Sequence, residues 1–213
     1  MATLLLRLRG PMQSWGSRSR FGERDTHTEP TKSGVIGLLC AALGRPRHEP
    51  LDDLVRLRMG VRIDRPGSIL RDYHTVMNAI QADGKQGGTV LSNRYFLADA
   101  DFVVGLEGDR PFLELLDTAL SRPTWVLSLG RKSFVPSHPI RLSVSDQPLE
   151  LALQLAPRLK VDQRRFLVGV IESEDGPEIR RDVPLDWQQR QFTSRRIRRI
   201  HFDLEAASSL SEL

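Results

Sequence analysis

Thr3-Leu4-Leu5-Leu6-Arg7-Leu8-Arg9-Gly10-Pro11 decides the fold. Leu4, Leu6 and Leu8 fall on one face of an alternating pattern, and Leu5, Arg7 and Arg9 on the other. The pattern predicts a half-buried strand with a basic outer face. Gly10-Pro11 ends it, because that pair punctuates regular structure. Residues 10–29 then read as a long polar loop, and a loop of that length in a compact domain is usually functional or mobile. Pro30-Thr31 marks the start of a helix whose apolar stripe is Val35, Leu38, Leu39, Ala42 and Leu43. Gly44 and Pro46 end it.

Further along, Leu51 to Arg58 is a short amphipathic segment. Met59–Asp64 and Ile69–Met77 read as strands around the turn Arg65-Pro66-Gly67. Residues 78–93 are polar, with Gly84, Gly87 and Gly88, and read as a flexible excursion. Arg94–Ala98 and Phe102–Glu107 are strand-like around Asp99-Ala100-Asp101. Pro111 opens a second helix with Phe112, Leu115, Leu116, Ala119 and Leu120 on one side. Trp125–Leu129 is apolar enough for another strand. The succession carries the strand, helix, strand, strand, helix, strand order of the ferredoxin-like fold. Beyond residue 142, Leu149–Leu155 alternates as a strand does, Phe166–Ile171 suggests another, and Phe192–Phe202 a last, strongly basic one. The prediction is an α+β protein. A ferredoxin-like (RNA-recognition-motif) domain spans 1–142, and a smaller β-rich domain spans 143–213.

The chain has 213 residues, 39% of them hydrophobic and 27% charged, which suits a globular protein and not a disordered one. No apolar run reaches the roughly 20 residues of a membrane-spanning helix, and Met1 to Arg9 lacks the apolar stretch of a secretory leader. A cytoplasmic protein without membrane contact is the expectation. Cys40 is the only cysteine, so no internal disulfide or cysteine-rich zinc site can form. It falls on the helix stripe and reads as a small core residue. No spacing points to a metal or cofactor.

The net charge is +4, and of 31 basic residues only Lys32, Lys85, Lys132 and Lys160 are lysine. A GC-rich genome explains that bias, and so does a phosphate-binding surface, because the guanidinium fork matches phosphate geometry. Arg18, Arg20 and Arg24 form one cluster, Arg131-Lys132 a second, and Arg195, Arg196, Arg198 and Arg199 a third. Three clusters beside glycines and aromatics point towards nucleic acid.

Three short segments carry candidate chemistry. Gln13-Ser14-Trp15-Gly16 places a tryptophan where it stacks on a base or caps the core edge. Thr31-Lys32-Ser33-Gly34 opens a helix with free N–H groups, hydroxyls and a lysine. Phosphate binding and simple capping both explain it, and the P-loop framework is absent. Leu129-Gly130-Arg131-Lys132-Ser133 pairs a glycine, which lets backbone approach a phosphate, with two cations. His27, His74 and Tyr73 are the residues able to support metal-independent RNA cleavage by general acid–base transfer. A polar His at a strand end is more commonly structural.

Four segments together resemble one family. They are Leu5 to Gly16, Pro30 to Leu39, Leu70-Arg71-Asp72-Tyr73-His74-Thr75-Val76, and Leu129 to Ser133, with Arg94 to Ala100 also fitting. In that order and spacing they resemble the subtype I-E members of the Cas-five family of CRISPR-associated proteins, in the RAMP superfamily. The likeness covers about the first two-thirds of the chain. It implies a non-catalytic subunit of the Cascade surveillance complex that caps the 5′ handle of the guide RNA. It also implies contacts with the large subunit and the repeated backbone subunit, in antiviral defence. A β-hairpin thumb, mapped to about 78–100, would kink the RNA. On this reading phosphates lie across Lys32, Ser33 and Gly34 and across Gly130, Arg131, Lys132 and Ser133. Arg20, Arg24 and Arg94 add charge, Gln13, Tyr73 and His74 read base edges or ribose, and Trp15 stacks. Two alternatives stand beside it: a repeat endoribonuclease using His74 or His27 with Tyr73, and a protein–protein adaptor that binds no RNA.

Overall fold

The computed structural model describes residues 1–16, 22–80, 83–158 and 166–203. Its elements run β1 (Ala2–Arg9), β2 (Met12–Gln13), β3 (Glu23–Arg24), α1 (Lys32–Leu43), α2 (Asp52–Val55), β4 (Arg58–Arg65), β5 (Ser68–Val76) and β6 (Val90–Ala98). They continue with β7 (Asp101–Gly108), α3 (Arg110–Ser121), β8 (Arg141–Ser145), α4 (Leu149–Leu155), β9 (Phe166–Glu172), β10 (Glu178–Asp186) and β11 (Gln191–Asp203). Among the described residues no helix is long and apolar enough to cross a membrane.

β1, α1, β4, β7, α3 and β8 form the ferredoxin-like unit. Its strands lie in the order β8-β1-β7-β4, and every neighbouring pair is antiparallel. The fourth strand is β8 and not the expected 125–129. The N–H groups of Thr124 and Trp125 donate to the carbonyls of Ala42 and Ala41, both at 3.0 Å, so this stretch caps the end of α1. The glycine-basic segment at 130–133 therefore precedes the fourth strand.

β1 is covered on both faces, unlike the half-buried strand the alternation predicts. Leu4, Leu6 and Leu8 pack in the core with residues of α1 and α3, while Leu5 packs with Val103 and with Leu149 and Leu153 of α4. The cover is α4, which the alternation of Leu149, Leu151, Leu153 and Leu155 presents as a strand. Leu, Glu, Ala and Gln are strong helix formers, and no β-branched residue opposes them. Leu149, Ala152 and Leu153 then make a buried helical stripe.

Under this helix the expected basic face of β1 is neutralised. Buried Arg7 meets Asp101 at 3.1 Å. Arg62, wholly buried, holds Asp64 at 2.7 Å and donates to the carbonyls of Leu153 at 2.5 Å and Ala156 at 2.8 Å. It thus satisfies acceptors at the end of α4.

The β-rich C-terminal part continues the same sheet. β9 pairs with β4, β11 with β9, and β10 with β11, giving a seven-stranded order β10-β11-β9-β4-β7-β1-β8. The boundary expected at 142–143 falls inside β8, and β10 is a strand the periodicity did not indicate. A second sheet is built on the β5–β6 hairpin, paired from Ser68↔Ala98 to Val76↔Val90, with β2 and β3 along β6. The hairpin arms thus begin at Ser68, ten residues before the expected thumb segment. Nine residues span about 30 Å. Exposed apolar side chains on it include Ile69, Leu70, Tyr73, Val76, Val90 and Leu91.

Candidate nucleic-acid interface

Three arginines from distant parts of the sequence converge at the base of the hairpin. Arg24 on β3 and Arg94 on β6 are register partners in a parallel pair. Arg131 reaches them from the loop before β8. Its Nη2 donates to the Tyr95 carbonyl at 2.9 Å and to the Arg24 carbonyl at 3.3 Å. Its guanidinium lies 5.4 Å from the centroid of the Phe134 ring, and that ring in turn lies 5.8 Å from Phe96. Partial burial pushes the Arg131 guanidinium below its ordinary value, and the charges of Arg94 and Arg24 push it further, against Asp72 and Asp25. A site where like charges raise one another's energy is one that an incoming phosphate relieves. Lys132 and Ser133 are exposed beside it.

The loop is fixed by a close backbone approach. The Ser14 N–H donates to the Leu129 carbonyl at 3.0 Å. Gly130 has φ +94°, and a Cβ there would stand 1.8 Å from the Ser14 carbonyl oxygen. The close approach that requires glycine here is thus to the chain's own backbone at Ser14.

The expected role of the start of α1 is corrected. Thr31 caps it, accepting from the Gly34 N–H at 3.3 Å. The Lys32 N–H donates to Asp182 Oδ2 at 2.8 Å, and the Lys32 ammonium is 2.9 Å from both oxygens of Glu172. Lys32 is 2% exposed. Burial lowers its affinity for a proton, and Glu172 opposes that. Arg195 adds bonds to Asp182 at 2.7 and 2.9 Å. The anion-binding character read from the sequence is present, but the chain's own carboxylates occupy it. Gly34 makes room for the Trp15 ring, 2.7 Å from a Cβ built there. The Ser33 hydroxyl lies 3.4 Å from that of Thr31.

Gln13 and Trp15 are core braces, not base readers. Trp15 is 1% exposed and donates through Nε1 to Gln13 Oε1 at 3.2 Å. Gln13 Nε2 donates to the carbonyls of Leu8 at 3.0 Å and Ala100 at 2.8 Å. Gln13 thereby fastens β2 to β1 and to the turn before β7, and the Trp15 indole holds the Gln13 side chain in place.

The hairpin separates Tyr73 from His74. They are sequence neighbours on β5, so they point to opposite faces. His74 shares its face with Asp72, at 3.8 Å, and with Arg94 and Ser92. Tyr73 lies on the other face, 59% exposed. The His74–Tyr73 acid–base couple is therefore not assembled, and the backbone N–H of His27 donates to the Trp15 carbonyl at 3.0 Å. Arg20 lies outside the described residues, as does Arg18. Among the described residues no group of His, Cys, Asp and Glu is placed to hold a metal ion.

The third basic cluster is divided by strand alternation. Arg195 turns inward to Asp182 and Glu172, and Arg199 lies 3.3 Å from Glu29. Arg198 reaches Glu150 at 3.5 Å, and Arg196 donates to the Gly176 carbonyl at 3.1 Å. Internal acceptors account for much of this run.

A family model described as "CRISPR-associated protein (Cas_Cas5)" matches residues 3–199. The chain belongs to the Cas5 family of CRISPR-associated proteins. A relative, the CRISPR system Cascade subunit CasD of Escherichia coli (strain K12), is 34% identical over 216 residues, covering 90% of this chain and 92% of that protein. A solved structure titled "Crystal structure of Cas protein" is 44% identical with a TM-score of 0.78, covering 95% of this chain and 96% of its own. A chain of a "CRISPR RNA-guided surveillance complex" is 34% identical with a TM-score of 0.81, covering 95% and 90%. The subtype I-E resemblance read from four segments is thereby borne out. The Cas5 match takes in the seven-stranded sheet to Arg199 of β11, the hairpin and the arginine cluster.

Proposed function

We propose that this chain is the Cascade subunit that binds and caps the 5′ handle of the guide RNA, joining the large subunit to the repeated backbone subunit in antiviral defence. The observation that carries the RNA contact is the convergence of Arg24, Arg94 and Arg131 at the hairpin base, with Lys132 exposed beside them. Phosphate contacts there set affinity and register. Handle bases unstacked over the hairpin present their edges for reading, with His74 on the arginine face. The reading includes no catalytic step. The separation of Tyr73 from His74 weighs against the endoribonuclease.

The test is to tag the chain, co-express it with its neighbouring genes and a repeat array, and sequence the retained RNA to its 5′ ends. One fixed handle, unchanged in a His27→Ala, His74→Ala variant, is the expected result. Unprocessed repeat RNA in that variant would make the chain the nuclease, and a complex without specific RNA would make it an adaptor.

A further inference from the structure

The face of the hairpin turned away from the arginine cluster carries its own set of polar and aromatic groups. Arg71 and Tyr73 stand two apart on β5, and their register partners on β6 are Tyr95 and Asn93. Paired residues of an antiparallel ribbon share a face, with Cβ atoms about 5 Å apart. Residues two apart along a strand are separated by about 7 Å. Arg71 is exposed, Tyr73 is 59% exposed, and Asn93 and Tyr95 are half-buried. On its other side Asn93 is paired with Glu23 of β3, which is exposed.

We infer that Arg71, Tyr73 and Asn93 form a binding site for one unstacked nucleotide of single-stranded RNA. The site deepens the RNA-binding reading above and rests on it. A nucleotide offers an anionic phosphate, a flat base and a base edge with donors and acceptors, and the three side chains match these in order. The Arg71 guanidinium takes the phosphate, the Tyr73 ring stacks on the base, and the Asn93 carboxamide reads the edge, being both donor and acceptor. Glu23 fixes the direction: its carboxylate repels a phosphate at the Asn93 end and leaves the Arg71 end for it. A bare aromatic this exposed on a strand suits a stacking platform. The site lies on the face opposite Arg94, so one strand of RNA engages both by bending around the ribbon.

The test is chemical probing of each guide-RNA base in the assembled complex. One handle base is expected to be shielded with the unaltered chain, to become reactive in Tyr73→Ala, and to stay shielded in Tyr73→Phe. Asn93→Ala is expected to keep the shielding but lose about tenfold or more of the preference for that base over the other three, read by competition between handle variants. Because Tyr73 is mostly exposed, its removal leaves the core untouched. An unchanged reactivity pattern in Tyr73→Ala complexes that retain RNA would overturn the site and leave the arginine cluster standing. Release of a protein subunit with base reactivity unchanged would assign this face to protein docking instead. Complexes without guide RNA would overturn the RNA reading and the site with it.

Discussion

The Lys32 ammonium lies 2.9 Å from both carboxylate oxygens of Glu172, joining the first turn of α1 to the end of β9. The contact divides the basic residues into two populations. Lys32 and Arg195 are buried among Glu172 and Asp182 and hold the helix to the C-terminal strands. Arg24, Arg94 and Arg131 face one another.

Lys32→Ala is expected to destabilise the protein without touching the RNA contact. Removing Lys32 strips Glu172 of its shortest ion pair and leaves it Arg195 at 3.4 Å, at a cost of about 2 kcal/mol. Denaturant unfolding reads the loss. The salt dependence of RNA retention should stay that of the unaltered chain. A shallower slope would return Lys32 to the phosphate site.

Gly130→Ala should distort the loop that presents Arg131. Its φ of +94° is unfavourable for alanine, and the new Cβ collides with the Ser14 carbonyl. Backbone strain of this kind costs about 1–3 kcal/mol. A lowered melting temperature together with weaker RNA retention is expected, and an unchanged melting temperature would contradict the close approach.

Asp72→Asn should strengthen RNA binding. Asp72 is the register partner of Arg94 and offsets the field on Arg131. Its side chain is 53% exposed, so the gain is small, about two- to fivefold in affinity. Binding titrations at low and high salt check this, and a weaker complex would mean that Asp72 itself contacts the RNA.

Acid should loosen the seam between the loop before α1 and the C-terminal strands. Burial raises the Glu29 carboxyl, but the Thr28 hydroxyl and the charges of Arg180 and Arg199 outweigh it and hold it below its ordinary 4.5. A carboxylate with a depressed folded value contributes stability above its unfolded value and loses it as pH falls through the folded one. Melting temperature should therefore drop between about pH 5 and pH 3. Glu29→Gln should be less stable at neutral pH and flatter across that window. A variant as acid-sensitive as the unaltered chain would contradict the assignment.

Much of the fold was legible because β1, α1, β7 and α3 carry clean periodicities with glycine or proline at their ends. The errors have local causes. Leu149 to Leu155 satisfies period two and helix propensity equally, and only its packing over Leu5 and Val103 selects the helix. Trp125 to Leu129 is as apolar as a strand, yet the N–H groups of Trp125 and of Thr124 before it are taken by α1. At the site, the sequence marks Arg24, Arg94 and Arg131 but not their convergence, which depends on β3 pairing parallel to β6 across residues 24 and 94. Gln13, Trp15 and Lys32 have the residue types of an RNA site, but their burial is a tertiary fact. Nothing local in the sequence marks Phe134, which lies under Arg131, or Asn93. Period two along 69–77 does place Arg71 with Tyr73.

The most direct measurement is guide-RNA retention by the complex across a salt series, comparing the unaltered chain with Arg94→Ala, Arg131→Ala. The arginine cluster predicts earlier loss of RNA and a shallower dependence of log affinity on log salt, by about 0.7 for each phosphate contact removed from a single strand. Retention unchanged at every salt concentration would contradict the placement of the RNA at the hairpin base.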